Sequence, residues 1–333
     1  MTRKSFLVLF GVTALSVLAA VVVTLLDRGA PAMALAGQRL LPGLDAASSD
    51  IARLVVRDGG VQTVVERRDG VYVDAASGYP VETEVLQELV GALTLAEIAE
   101  AKTADPARYA DLGLAPPDAE KGAGREIVLE DGDGEAIAHV IVGDRDYTLG
   151  GLAGGQFARR GGEDETWLVR ARIDPPSRRA GWFDTRLFEA EESEILRASL
   201  SPGEGEAIEF AREDGAFVLK AELPEGRAAR GGQVDRIPRF FTALDFDDVR
   251  ETGDAEETGA KISAETADGV KITLAALAGP DDDRAWVRIA VAGSGEAADT
   301  LRARVEGFEF ALSSYDAQLF GWTLDDLTET VES

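Results

Sequence analysis

Three places in the chain combine residue types that could do chemistry. Asp131-Gly132-Asp133-Gly134 sets carboxylates at alternate positions, as the start of a calcium loop does. A full loop needs further oxygen ligands and a closing glutamate about twelve residues on. Here Glu135 to His139 returns at once to an apolar strand, so the stretch reads as a hairpin turn. Gly150 to Gly155 is rich in glycine, as phosphate-cradling loops are. Such a loop needs a Lys-Ser/Thr pair or a following helix to complete it, whereas Gln156-Phe157-Ala158-Arg159-Arg160 reads as strand. No nucleotide site is expected. The single histidine, His139, lies in the apolar run Ala136 to Val142 and reads as structural.

Two further classes of chemistry stay open. Exposed aromatics such as Trp182, Trp286 or Trp322 could stack on a glycan, although aromatics more often fill a core. Paired carboxylates could act as acid and base. With 61 acidic residues some pairs fall close by chance, so no pair is singled out. The expectation is no catalytic residue, no cofactor, no metal ligand and no assignable binding residue.

The elements that would position a site are much clearer. Ile51, Leu54 and Val56 mark a strand, Val61, Val64 and Val65 a second, and Val71, Tyr72 and Val73 a third beyond Asp69-Gly70. Asp-Gly suits the positive φ of a tight hairpin turn, so the strands beside it pair antiparallel. After Tyr79-Pro80, the residues Leu86, Leu89, Val90 and Leu93 form the i, i+3, i+4, i+7 stripe of a helix. The pattern then returns. Ile195 and Leu200, Ile208 and Phe210, Asp214-Gly215, and Phe217 and Leu219 repeat the strands, and Ile237, Phe240, Phe241 and Leu244 repeat the stripe at one constant offset. Such a repeat predicts an α+β chain of two units, each a mainly antiparallel sheet with one principal packed helix.

Arg125 to Val142 and Thr166 to Val169 supply more strands of the first unit. In the second, Lys261 to Ala276 (around Asp268-Gly269), Ala285 to Val291 and Gly307 to Leu312 match them. Tyr109-Ala110-Asp111-Leu112-Gly113-Leu114 precedes Pro116-Pro117 and reads as an apolar plug against the sheet. Trp182 to Phe188 joins the units, and Leu319-Phe320-Gly321-Trp322 holds the equivalent place in the second.

Phe6 to Leu26 carries no charge and follows Arg3 and Lys4. It is long enough to cross a bilayer core, and the leading cations favour a cytoplasmic N-terminus with the rest exported. A cleaved signal peptide is the rival reading, since Ala32-Met33-Ala34 and Ala34-Leu35-Ala36 fit the small-x-small pattern. The expected organisation is an anchor at 1–28, a linker at 29–44, α+β repeats at 45–190 and 191–325, and an acidic tail at 326–333. Leu40-Leu41-Pro42-Gly43-Leu44 is an apolar knot that either docks on the first repeat or lies near the membrane.

The net charge of -27 disfavours nucleic acid and anionic headgroups as direct ligands. The absence of cysteine excludes disulfides, thiolate metal sites and a lipidated cysteine.

Several stretches together resemble a family. These are the leading anchor, Leu41-Pro42-Gly43-Leu44, Asp69-Gly70, Tyr79-Pro80, Tyr109 to Leu114 with Pro116-Pro117, and Val140-Ile141-Val142-Gly143. They are similar to the uncharacterised bacterial domain family found beside gliding-motility-type ABC transporter permeases and their auxiliary components, here in two copies. The family's tryptophan after the Asp-Gly turn is replaced by Tyr72 and, in the second copy, Phe217. The resemblance implies membrane-associated transport accessory work and carries over no catalytic residue. With the anchor, the repeat and the lack of a catalytic constellation, the expectation is a non-enzymatic protein of the inner membrane with its bulk in the periplasm. Its partner would be an ABC-type permease, an auxiliary membrane protein or an exported cargo. A glycan- or polymer-binding module is the alternative, and a carboxylate-based hydrolase comes after it.

Overall fold

The computed structural model describes residues 35–151, 154–203, 205–279 and 285–331. The expected anchor, Phe6 to Leu26, lies outside the described residues, as do residues 29–34 of the linker. Among the described residues no helix is long and apolar enough to cross a membrane.

The strands are β1 (Arg53–Asp58), β2 (Val61–Arg68), β3 (Val71–Asp74), β4 (Glu97–Ala101), β5 (Arg125–Glu130), β6 (Ala136–Asp146), β7 (Gly155–Arg160) and β8 (Thr166–Arg170). They form one sheet in the order β3-β2-β1-β5-β6-β7-β8-β4. After β9 (Arg186–Glu189) come β10 (Ile195–Pro202), β11 (Ile208–Glu213), β12 (Ala216–Leu219), β13 (Arg227–Ala229), β14 (Ala243–Asp245) and β15 (Asp248–Glu251). They are followed by β16 (Glu257–Thr266), β17 (Lys271–Leu277), β18 (Ala285–Ala292), β19 (Phe308–Leu312) and β20 (Thr328–Thr330). The second large sheet runs β12-β11-β10-β16-β17-β18-β19-β15. Matched in chain order, the two sheets have the same strand order.

The likeness extends to register. In the first sheet Leu54 and Val56 on β1 face Leu129 and Ile127 on β5, all buried. In the second, Ala198 and Leu200 on β10 face Ala264 and Ile262 on β16, also buried. Buried cross-strand pairs of this kind are what fix the register of an antiparallel sheet. The hairpin turns match as well. Asp69 and Asp214 are the two non-glycine residues with positive φ among the described residues, at 51° and 50°, and Gly70 and Gly215 follow at 86° and 85°. Both central residues of each turn are left-handed, the geometry that agrees with strand twist.

The chain divides into two compact units, 35–67 with Glu84–Pro175, and Arg68–Thr83 with 176–331. In the first unit the helix α1 (Thr83–Leu95) buries Leu86, Leu89 and Leu93 and half-buries Val90, as the stripe predicts. The apolar knot docks on this unit. Leu40, Leu41 and Leu44 are buried, and the Leu40 amide donates to the Ala96 carbonyl at 2.8 Å. Tyr109 and Leu114 pack on Ile141 together with Leu112 and Phe157, which is the expected plug. Gly143 lets the plug approach, because a Cβ there would lie 2.2 Å from the Leu112 carbonyl oxygen.

The second unit departs from the expected single helix. Two short pieces, α2 (Gly231–Val234) and α3 (Arg236–Phe240), stand in its place. Gly231 and Gly232 propagate a helix poorly, and Pro238 has no amide to donate. Phe241 and Thr242 already bond three residues back, to Pro238 and Arg239. Leu244 therefore leaves the helix and lies on β14, paired with Phe188 on β9. Ile237, Phe240, Phe241 and Leu244 are all buried nonetheless. The longest helix of this unit is instead α4 (Glu296–Val305), which packs on β18 through Ala298, Leu301 and Val305. The acidic C-terminal stretch carries a strand, since β20 pairs with β13 and buries Thr328, and Leu327 just before it is buried too.

The shared turn geometry yields a test. Gly70→Ala and Gly215→Ala should each cost about 1–2 kcal/mol, because a Cβ disfavours the left-handed conformation although open space surrounds both positions. Urea unfolding of the two variants should show losses of similar size.

Candidate functional site

The residues with the most polar and aromatic convergence lie in the second unit, around the end of β3. Asp74 closes a tight loop there. Its carboxylate accepts from the Ser77 amide and hydroxyl, both at 2.8 Å, and the Ser77 hydroxyl accepts from the Tyr79 amide at 3.2 Å. The Asp74 amide in turn donates to the Tyr79 carbonyl at 2.9 Å. Arg179 then bridges two carboxylates, with one terminal nitrogen 2.6 Å from Asp74 and the other 2.6 Å from Asp248. Burial alone would raise the Asp74 carboxyl pKa. The hydrogen bonds from Arg179 and Ser77 and the Arg179 charge outweigh it and hold the group below the usual carboxylate value.

This loop aims Tyr79 into an aromatic box. Its ring meets Phe183, Phe246, Phe308 and Phe310 edge to face, with centroids 5.5, 5.6, 5.0 and 5.8 Å away. Edge-to-face pairs place the positive ring edge against a negative face. Burial pushes the Tyr79 hydroxyl pKa up, against the opposing charge of the nearby Arg304 guanidinium, so the phenol stays protonated at neutral pH. Arg304, from α4, is paired with Asp184 at 3.0 Å. Beside the box opens a cleft of about 640 Å³ whose apolar lining includes Tyr79, Pro80, Val81, Ala303 and Phe308. Glu82, Asp184 and Arg304 supply its charged groups. The arrangement holds a protonated phenol and a neutralised guanidinium. It suits binding of an apolar surface.

A second pocket of about 320 Å³ adjoins α3, with Phe240 and Leu319 beneath and Arg236, Arg239, Tyr315 and Asp316 around it. The Arg236 guanidinium stacks 3.8 Å from the Tyr315 ring centre and 4.8 Å from that of Trp322.

The other chemistry-bearing residues singled out in the sequence are engaged by neighbours within the fold. Nε2 of His139 is 2.8 Å from Glu126, which also takes Arg57 at 2.6 Å. Burial raises the Glu126 pKa, but these partners more than offset it and lower it overall. Asp131 accepts from the amides of Asp133 and Glu135 at 2.9 Å each, so this carboxylate caps its own hairpin turn. The stretch from Gln156 is strand, within β7. Trp182 is fully buried and Trp286 nearly so, with Arg250 stacked 4.0 Å over Trp286, while Trp322 is half-buried. Glu309 is fully buried between Arg250, at 2.9 Å, and Arg288. Among the described residues no group of three or more His, Cys, Asp or Glu is placed to hold a metal ion.

Nothing local in the sequence marks Tyr79, Arg179 or Arg304 as site residues. Tyr79-Pro80 was visible as a helix lead-in, yet nothing local shows that its ring belongs with Phe308 and Phe310. Of the comparisons with known proteins, one family model matches, over residues 72–262; it is described as a domain of unknown function, DUF4340. No curated protein matches the chain.

Removing Arg179 strands a buried carboxylate, so Arg179→Ala should cost about 3–5 kcal/mol. The sign of the pH effect follows from the lowered Asp74 pKa. The pair stabilises the fold above the carboxyl's unfolded pKa, and that contribution is lost as pH falls through the lower folded value. The stability difference between wild type and Asp74→Asn should therefore shrink on going from pH 6 to pH 2 in denaturant titrations.

Proposed function

The chain belongs to the DUF4340 domain family, and from that premise we propose that it is a non-enzymatic accessory protein of the cell envelope that binds a membrane transport complex. In this reading Phe6 to Leu26 anchors it in the inner membrane, two copies of the domain stand on the periplasmic side, and an ABC-type permease, an auxiliary membrane protein or its exported cargo is the partner. One observation carries the choice of binding over catalysis. The polar groups best placed for chemistry are spent on one another, as in Asp74-Arg179-Asp248, His139-Glu126-Arg57 and Glu309 with Arg250 and Arg288.

The cleft beside Tyr79 is the surface assigned to the partner. Its apolar lining offers the kind of water-excluded contact from which interface hot spots are made. Its Arg304–Asp184 pair balances two of the three charged groups of the cleft and leaves Glu82 as the third. The glycan-binding alternative relied on exposed tryptophans, and burial of Trp182 and Trp286 leaves it with Trp322 and the exposed Tyr315.

A pull-down of tagged full-length protein from mildly solubilised membranes should recover a permease subunit. Ala303→Arg, which places a charge in the cleft, should reduce recovery by about tenfold, equal to ~1.4 kcal/mol. Recovery of no transport subunit, with hydrolysis of a glycan or peptide by the purified protein, would overturn the accessory reading in favour of an enzyme.

A further inference from the structure

The pocket beside α3 holds a cation without a counterion. Arg239 is bridged by Glu192 at 3.2 Å and Asp235 at 3.7 Å. Asp316 accepts from the Ser313 hydroxyl at 2.7 Å and keeps its negative charge, more than 4.0 Å from the Arg236 nitrogens. Arg236, by contrast, has no carboxylate within 4.0 Å among the described residues. Among the described residues its one hydrogen bond goes to the Tyr315 carbonyl at 2.8 Å, and its buried Nε has no acceptor. The rings of Tyr315 and Trp322 lie against the guanidinium and strip water from it. That leaves its edge as the place for an anion, the fork geometry that matches a carboxylate.

The ligand's other features follow from the surroundings. A chain of net charge -27 repels a polyanion, so a single negative charge fits better than a run of them. The floor, Phe240 and Leu319, is apolar and suits one aliphatic side chain next to the carboxylate. A volume of about 320 Å³ is at the small end of ligand pockets. Arg236 covers one face of each ring, so a sugar stacking on Tyr315 would have to use the face that Arg236 leaves open.

We infer that this pocket captures the free C-terminal carboxylate of a protein partner whose last side chain is apolar. C-terminal capture is an established mode of peptide recognition. The inference rests on the accessory reading in one respect, that the partner is a protein. Arg236 binds the carboxylate, Phe240 and Leu319 receive the side chain, and Tyr315 holds the guanidinium in place.

The probe is a fluorescein-labelled hexapeptide ending in leucine, compared with its C-terminal amide, titrated by fluorescence polarisation against the full chain in detergent. The acid should bind about tenfold tighter than the amide. Arg236→Ala should remove that preference, and Tyr315→Ala, at an exposed ring, should weaken it while leaving thermal melting near wild type. Equal binding of acid and amide, binding of neither at millimolar protein, or an acid preference that survives both substitutions would overturn the inference. Displacement of the peptide by galacturonate at lower concentration than by unlabelled peptide would overturn it in favour of an acidic sugar. Failure here with a permease still recovered in the pull-down would sink this pocket alone. Peptide capture with no transport subunit recovered would sink the accessory reading alone.

Discussion

Arg179 and the two carboxylates it joins are the constraint on which the second unit depends. Asp74 is nearly inaccessible to solvent, and a buried carboxylate is tolerable only when paired and hydrogen-bonded. Arg179 supplies the charge and Ser77 the remaining donors. The same bonds shape the loop that delivers Tyr79 to its four phenylalanines. Electrostatics and packing thus act on one short segment, 68–83, which the chain places far in sequence from most of the unit it completes. Closing so long a loop costs entropy that grows slowly with its length. A dense aromatic box and a doubly bonded guanidinium offset that cost locally.

The two large sheets show how far one plan can be kept while its helical parts diverge. Strand order, buried cross-strand pairs and the left-handed Asp-Gly turns agree between them. Sheet register is set by alternation, and a slip of one residue would turn every apolar side chain outward. A helix that covers a sheet is less constrained, because any apolar surface of suitable volume satisfies the core. The long α1 in one unit and the broken α2 and α3, aided by α4, in the other are two solutions of that kind.

The two clefts of the second unit differ in the way their charges are handled. Beside Tyr79 the guanidinium of Arg304 is neutralised by Asp184, and the lining is mainly apolar. Beside α3 the guanidinium of Arg236 is held by rings and a carbonyl, and it keeps its charge for something else. In the first unit the His139–Glu126 pair is likewise tied to Arg57.

What the sequence determined by itself is what short-range chemistry controls. Asp69-Gly70 and Asp214-Gly215 dictate turns because few residue pairs tolerate two successive positive φ values. Leu86, Leu89 and Leu93 dictate a helix by spacing, and Tyr109 to Leu114 forms a plug because its apolar residues need cover. Asp131 identifies itself as a turn cap once the return to strand is seen. Pro238 and the glycines before it could have warned that the second stripe would not run as one helix. Ala298, Leu301 and Val305 are spaced for the buried face of α4, but the charged run around them hides the signal. Tertiary structure alone decided that Tyr79 joins Phe308 and Phe310, that Arg179 bridges Asp74 and Asp248, and that Arg236 meets no carboxylate among the described residues. Each depends on which distant side chains meet, and the pairing energies of charges and rings leave no periodicity in the chain to read.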